Sequence, residues 1–165
     1  MKKEIIFCVG IPASGKSTWS KNFVKTNSDY VRVCRDDYRY MFKDIGWFEG
    51  KDIRTKLENL ITQNIFSDII NLLNNDFNVV VDETNLDYKR LIKLIKDLRK
   101  TNSFNVKFKL FNITFKEAYE RDLKRERTVG EQVLLRMIDK HDLLMKNLEF
   151  NKTVDGFHIV DEINF

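Results

Sequence analysis

A chain of 165 residues has room for one compact core, because cores usually divide only beyond ~250 residues, and one active site is expected. With 42% hydrophobic and 33% charged residues and Pro12 as the only proline, the composition excludes a disordered, fibrous or low-complexity protein. The formal charge of +4 suits a polyanionic partner as well as an ordinary basic surface, and two cysteines, Cys8 and Cys34, exclude a disulfide framework or a thiolate zinc site.

The opening Met1-Lys2-Lys3 precedes an apolar run that breaks at Gly10, too short for a secretory signal or a membrane span, so a cytoplasmic location is expected. That run, Glu4 to Val9, is the first predicted strand. A helix from about Lys16 to Lys25 follows a glycine-rich turn, and Tyr30 to Val33 reads as a short strand leading into Arg35-Asp36-Asp37, which open another helix. From Lys51 to Asn74 the residues Leu57, Leu60, Ile61, Ile65, Ile69, Leu72 and Leu73 recur at spacings of three and four, the mark of a long amphipathic helix.

Phe77 to Val81 is the third strand. Asp87 is placed to cap the next helix, whose buried stripe is Leu91, Leu94, Ile95 and Leu98. Val106 to Phe111 alternates as a fourth strand, and Thr114 with Glu117 has capping-box spacing for a helix reaching Arg125. After a break at Glu126 to Gly130, Glu131 to Leu148 forms the last helix and Phe157 to Val160 adds a terminal strand. Such alternation gives an α/β fold, a parallel sheet covered by helices on both faces.

Gly10-Ile11-Pro12-Ala13-Ser14-Gly15-Lys16-Ser17 fits GxxxxGK[ST] and stands between a strand and a helix, as its mechanism requires. Gly10, Gly15 and the intervening Ser14 let backbone N–H groups turn toward phosphate oxygens. The new helix directs its positive dipole end there, with Thr18 in its first turn. Lys16 supplies a cation near the β and γ phosphates, and Ser17 is placed to ligate Mg²⁺. This much predicts a nucleoside triphosphate site but does not separate kinases from GTPases, motors or switches.

Asp36, Asp37, Asp82 and Glu83 follow directly after predicted strands, where open α/β sheets bind ligands. Asp36 by itself would read as a helix cap. Arg39, three residues on, shares its helical face, so one side chain could accept a hydroxyl proton while the other grips an acceptor phosphate. Asp82-Glu83-Thr84-Asn85 resembles the acidic strand end that holds a metal's water shell, with the choice between Asp82 and Glu83 open. Arg121 and Arg125 lie four apart and lead into Arg127 and Gly130, which reads as a lid bringing cations to the transferring phosphoryl group. Their acidic neighbours Glu117, Glu120, Asp122 and Glu126 allow the plainer reading of a solvated charged face. His141 and His158 are expected to be structural. Asn151-Lys152-Thr153-Val154-Asp155 misses the guanine-reading spacing NKxD by one residue, which favours adenine.

GIPASGKSTW at the phosphate loop, CRDDYR at the second strand-helix junction, DETNLD after the third strand and the Arg121/Arg125 pair together resemble the kinase domain of phage-type polynucleotide 5′-hydroxyl kinases. The resemblance implies a P-loop kinase-like three-layer sandwich, a single domain over residues 1–165. It has a central parallel sheet of four to five strands, helices on both faces and an Arg-bearing lid. It implies ATP and Mg²⁺ as cofactors and the 5′-OH end of DNA or RNA as acceptor. Asp36 becomes the general base and Arg39 the ligand of the phosphate just 3′ of the terminal nucleoside. Lys16 and Ser17 act on the donor phosphates and the metal, with Arg121 and Arg125 clamping the donor.

The family's DTN aspartate aligns with Glu83. The stretch from Arg125 to Val129 is one residue shorter than the family pattern, and the phosphatase signature DxDGT is absent, so 3′-phosphatase activity is not expected. A separate ligase or phosphatase partner would then complete a repair reaction. Two other readings remain open: a kinase for a small metabolite or nucleoside, and a nucleotide-dependent binding switch.

Overall fold

The computed structural model describes residues 2–43, 51–148, 152–154 and 157–159. Strands β1 (Lys3–Val9), β2 (Tyr30–Val33), β3 (Asn78–Val81) and β4 (Phe104–Leu110) alternate with helices α1 (Lys16–Thr26), α2 (Arg35–Met41), α3 (Lys51–Asn74) and α4 (Tyr88–Arg99). Helices α5 (Phe115–Asp122) and α6 (Glu131–Asn147) follow, then β5 (Lys152–Val154) and β6 (Phe157–Ile159). The sheet runs β2-β3-β1-β4-β6-β5, its first four strands parallel as expected. The terminal strand β6 lies within the strand expected at Phe157 to Val160, but it pairs antiparallel with β4 and brings β5 as an outer antiparallel partner, two features that the sequence does not signal. Three residues between NKxD-like ends carry no periodicity to read; the ends, Asn151 and Asp155, lie outside the described residues.

The central strands are apolar throughout because both faces are covered. Phe7 and Val9 of β1, Val79 and Val81 of β3 and Phe108 of β4 join the core under α3, α4, α5 and α6. The intervening residues Ile6, Cys8 and Val80 face α1, against Trp19, Phe23 and Val24. Alternation along each strand therefore feeds two separate cores. Both cysteines are buried and free, and burial pushes the Cys34 thiol up to about 11.

The local signals act as read. The Asp87 carboxylate accepts the Arg90 amide at 3.0 Å and starts α4. Thr114 and Glu117 form a reciprocal capping box on α5. Along α3 the buried line is Ile61, Ile65, Ile69 and Leu73, whereas Leu60 falls off it and is 42% exposed. Helix α5 stops at Asp122, before the expected Arg125, because the Asp122 carboxylate turns back to accept the amides of Val129 and Gly130 at 2.9 and 3.1 Å. A helix continuing through 125 would carry those amides away.

Ile69 is fully buried between α3 and the sheet, so Ile69→Ala should cost ~2–5 kcal/mol through lost transfer energy and a residual cavity, while Leu60→Ala should stay within ~1 kcal/mol. Urea midpoints at constant slope measure both. Equal costs would mean that the α3 stripe is misplaced.

Candidate functional site

The glycine-rich loop leaves the C-terminal end of β1 and enters α1 at Gly15, whose φ of 95° lies in the left-handed region that favours glycine. Ala13 holds φ 62° two residues earlier, a conformation a non-glycine residue keeps only when its surroundings dictate it. At Gly10 the reason is space: a Cβ there would stand 2.9 Å from both the Phe111 carbonyl oxygen and Ser14 Oγ. No side chain caps the first turn of α1, so its amides face the cleft with their partial positive charge uncompensated by a cap. Lys16 curls over the loop, donating to the Ile11 carbonyl at 2.6 Å and to Ser14 Oγ at 3.2 Å. Burial pulls its ammonium down to about 8 against the opposing field of Asp82.

Asp82, at the end of β3, is buried to 4% exposure. One carboxylate oxygen, Oδ2, accepts from Ser20 Oγ at 2.9 Å and from Arg32 Nε at 2.8 Å. Arg32 Nη2 also lies 2.7 Å from Oδ2. The other oxygen, Oδ1, is turned to Ser17 Oγ at 3.3 Å. Glu83 points elsewhere, to Arg35 Nε at 3.1 Å. The same turn is stitched to the phosphate loop: Gly10 N donates to the Thr84 carbonyl at 3.2 Å, and Asn85 Nδ2 donates to the Cys8 carbonyl at 2.8 Å.

Helix α2 presents Asp36 and Arg39 on one face, Arg39 Nη1 donating to Asp36 Oδ1 at 2.8 Å. Glu58 of α3 holds the rest of the guanidinium, accepting from Nε at 2.7 Å and Nη2 at 3.1 Å. Its Oε2 also takes Arg35 Nη1 at 3.2 Å. Burial would raise the Glu58 carboxyl, but Arg39 and Arg35 outweigh it and hold it below the ordinary range. Arg32 Nη1 completes the chain of charges with Asp37 Oδ2 at 2.6 Å.

On the opposite wall, the buried Asp122 pairs with Arg125 Nη1 at 3.4 Å while holding the amides of Val129 and Gly130. Asp122 thus organises the segment rather than dissolving into a solvated face, one of the two readings its acidic context allowed. Glu117 is spent on the helix cap. Arg121 Nη1 approaches the Ala13 carbonyl at 3.5 Å from outside the loop.

A cleft of about 340 Å³ joins these parts. Ser14, Gly15, Lys16, Ser17, Thr18, Asp36, Arg39, Asp82, Glu83 and Arg125 all line it. Asp36 and Arg125 are close enough to act on the Lys16 charge from the two walls. Of the residues singled out from sequence, Gly10, Asp37, Arg121 and Gly130 are not in the lining; Gly10 anchors the loop, Asp37 pairs with Arg32, Arg121 touches the outer side of the loop and Gly130 gives its amide to Asp122. Neither histidine lines it; His141 faces Asp142 at 3.4 Å, with Nε2 buried and without a hydrogen-bond partner. Sequence reasoning missed Arg32, Glu58 and the bonding of Asp122. Glu58 sits on the polar side of a long helix, where nothing local distinguishes it from a solvated glutamate.

A family model described as AAA domain matches residues 5–144. A protein of Autographa californica nuclear polyhedrosis virus, provisionally named a bifunctional polynucleotide kinase/RNA ligase, is 25% identical over 131 residues, covering 74% of this chain and 18% of its own length. One chain of the Pnkp1/Rnl/Hen1 RNA repair complex is similar with a TM-score of 0.78 and 25% identity, over 90% of this chain and 47% of that one. A chain of another Pnkp1/Rnl/Hen1 complex structure gives 0.62 and 30%, over 78% and 42%. The present chain therefore spans less than half the length of each. The family match runs from β1 through the phosphate loop and both walls of the cleft into α6, and the chain belongs to the AAA domain family.

Proposed function

We propose that this chain is an ATP-dependent polynucleotide 5′-hydroxyl kinase. The observation that carries the reading is the pairing of Asp36 and Arg39 at 2.8 Å on the wall of the same cleft that Lys16 and Ser17 line. A triphosphate site alone would need neither. The similarity to proteins named for polynucleotide kinase and RNA repair supports the choice of a nucleic-acid acceptor over a small metabolite.

On this reading the loop amides and Lys16 hold the donor phosphates, and Arg39 takes the acceptor phosphate next to the terminal sugar. That phosphate brings the 5′-hydroxyl beside Asp36, which accepts its proton as the oxygen bonds to the γ-phosphorus. The bond to the β,γ-bridging oxygen breaks and ADP leaves. Arg125, set by Asp122, neutralises charge on the transferring group, and Arg121 steadies the loop or the donor from outside. The donor set fits Mg²⁺: the exposed Ser17 hydroxyl and the Asp82 Oδ1 that faces it at 3.3 Å are hard oxygens of the kind that bind it together with phosphates and water. When bound, Mg²⁺ would neutralise the phosphate oxygens. Asp82 takes this role because it faces Ser17, and Glu83 shapes the acceptor wall through Arg35.

Among the described residues no helix is long and apolar enough to cross a membrane. A cytoplasmic setting, with repair completed by ligase or phosphatase activity on a separate partner, is part of the proposal.

The deciding measurement is transfer of label from γ-labelled ATP to matched 5′-OH and 5′-phosphate oligonucleotides, beside nucleosides and sugars. Only the 5′-OH strands should be labelled; labelling of sugars or nucleosides alone would replace this reading with a metabolite kinase. Asp36→Asn should lower transfer by ~10²–10⁴-fold with ATP binding retained, the range of a lost general base. Arg39→Ala should reduce kcat/KM for oligonucleotides by roughly tenfold to a hundredfold with little change in ATP affinity, so equal losses of both would count against an acceptor role. Because the Lys16 ammonium loses its proton above about pH 8, affinity for a nonhydrolysable ATP analogue should fall by up to about tenfold per pH unit beyond that point. A flat profile through that range would show that its charge is not used.

A further inference from the structure

Tyr40 is the exposed aromatic nearest in sequence to the acceptor wall, and the core does not account for it. Tyr38 on α2 and Phe42 at its C-terminal cap pack against the core, Tyr38 with its hydroxyl on Asp68, whereas Tyr40 is 67% exposed. A single exposed aromatic is ordinary by itself. Its position is what gives it meaning. Tyr40 follows Asp36 by four residues and Arg39 by one, and Lys43 follows Arg39 by four. Asp36, Arg39, Tyr40 and Lys43 therefore occupy spacings of 0, 3, 4 and 7, one continuous stripe along the helix and its final turn. The stripe begins in the cleft, which Asp36 and Arg39 line, and leads out of it. Lys43 Nζ lies 4.9 Å from the Tyr40 ring centroid, which places a cation beside the ring and restrains it.

A base, a phosphate clamp, an exposed ring and a second cation in that order match what a single-stranded polynucleotide offers: hydroxyl, phosphate, π-face, phosphate. Resting on the reading of the cleft as a 5′-hydroxyl kinase site, we propose that this stripe is a subsite for the second nucleotide of a single-stranded acceptor. Tyr40 stacks on its base and Lys43 contacts the phosphate that follows. From Arg39 to Lys43 the helix advances about 6 Å, a distance of the order of one step along an extended strand. Stacking is tolerant of sequence because every base has a π-face, so the subsite selects strands over mononucleotides without selecting a base. A duplex end would have to unpair before its second base reached the ring, so single strands and frayed ends are favoured.

The test compares two 5′-OH oligonucleotides that differ only at the second position, one intact and one abasic there. The wild-type protein should favour the intact strand by ~5- to 100-fold in kcat/KM, mostly through KM, the range of one stacked base. Tyr40→Ala should abolish the preference while leaving the abasic strand's kcat/KM unchanged, and Tyr40→Trp should restore it. Lys43→Ala should make the slope of log KM against log salt shallower by ~0.7, one single-strand phosphate contact. No preference in the wild type, or a preference that survives Tyr40→Ala, overturns the subsite while labelling of both strands leaves the kinase reading standing. If the wild type labels neither strand but labels a nucleoside or sugar, the kinase reading falls and this subsite falls with it.

Discussion

The site depends on one buried carboxylate. Asp82 ends β3 inside the protein, and its two oxygens divide the work: Oδ2 is held by Ser20 and Arg32, and that leaves Oδ1 aimed at Ser17 in the phosphate loop. A charge at 4% exposure survives only when it is paired and hydrogen-bonded, and here the partners come from two other elements. Arg32 belongs to β2 and Ser20 to α1, so the carboxylate fixes the end of β3 against both. Two further ties, the Gly10 amide to the Thr84 carbonyl and the Asn85 side chain to the Cys8 carbonyl, join the loop to the acidic turn.

From Arg32 the charges continue across the wall formed by α2 and α3 in alternating sign. Arg32 reaches Asp37, Arg35 bridges Glu83 and Glu58, and Arg39 bridges Glu58 and Asp36. Exposed ion pairs contribute little, and Asp36 and Asp37 are exposed, but the arginines, Glu58 and Glu83 are partly desolvated and share partners, so each of them is restrained by its neighbour. The consequence is preorganisation: Glu58 takes the Nε edge of Arg39 in two hydrogen bonds, which leaves its Nη1 side toward Asp36 and the cleft. Asp122 does the equivalent on the facing wall, where it folds the residues after α5 back on themselves and sets Arg125. Both walls are therefore built on acidic residues that hold arginines in place.

How much of this could be read in advance depended on whether the signal was local. The GxxxxGK[ST] spacing, the capping box at Thr114 and Glu117, the cap at Asp87 and the stripe of α3 are rules about residues a few positions apart, and each appears where the sequence placed it. The bounds slipped where a tertiary bond intervened, as at the end of α5, where Asp122 ends the helix for the sake of Val129 and Gly130. Leu60 satisfied the periodicity yet lies outside the buried line, because the width of the stripe is set by what packs on α3.

The sequence by itself determined the phosphate loop, the alternation of strands and helices, and the nearness of Asp36 to Arg39, since three residues on a helix leave little choice of geometry. It could not tell which of Asp82 and Glu83 faces Ser17. Adjacent residues at a strand end point to opposite sides, and which side holds Ser17 is decided by the order of β2, β3 and β1 in the sheet. Nor could it find Glu58 or Arg32, whose partners lie 19 and 50 residues away and meet only when α2 packs on α3 and β2 pairs with β3. Pairing across such separations is a property of the folded arrangement, and only the tertiary structure decides it.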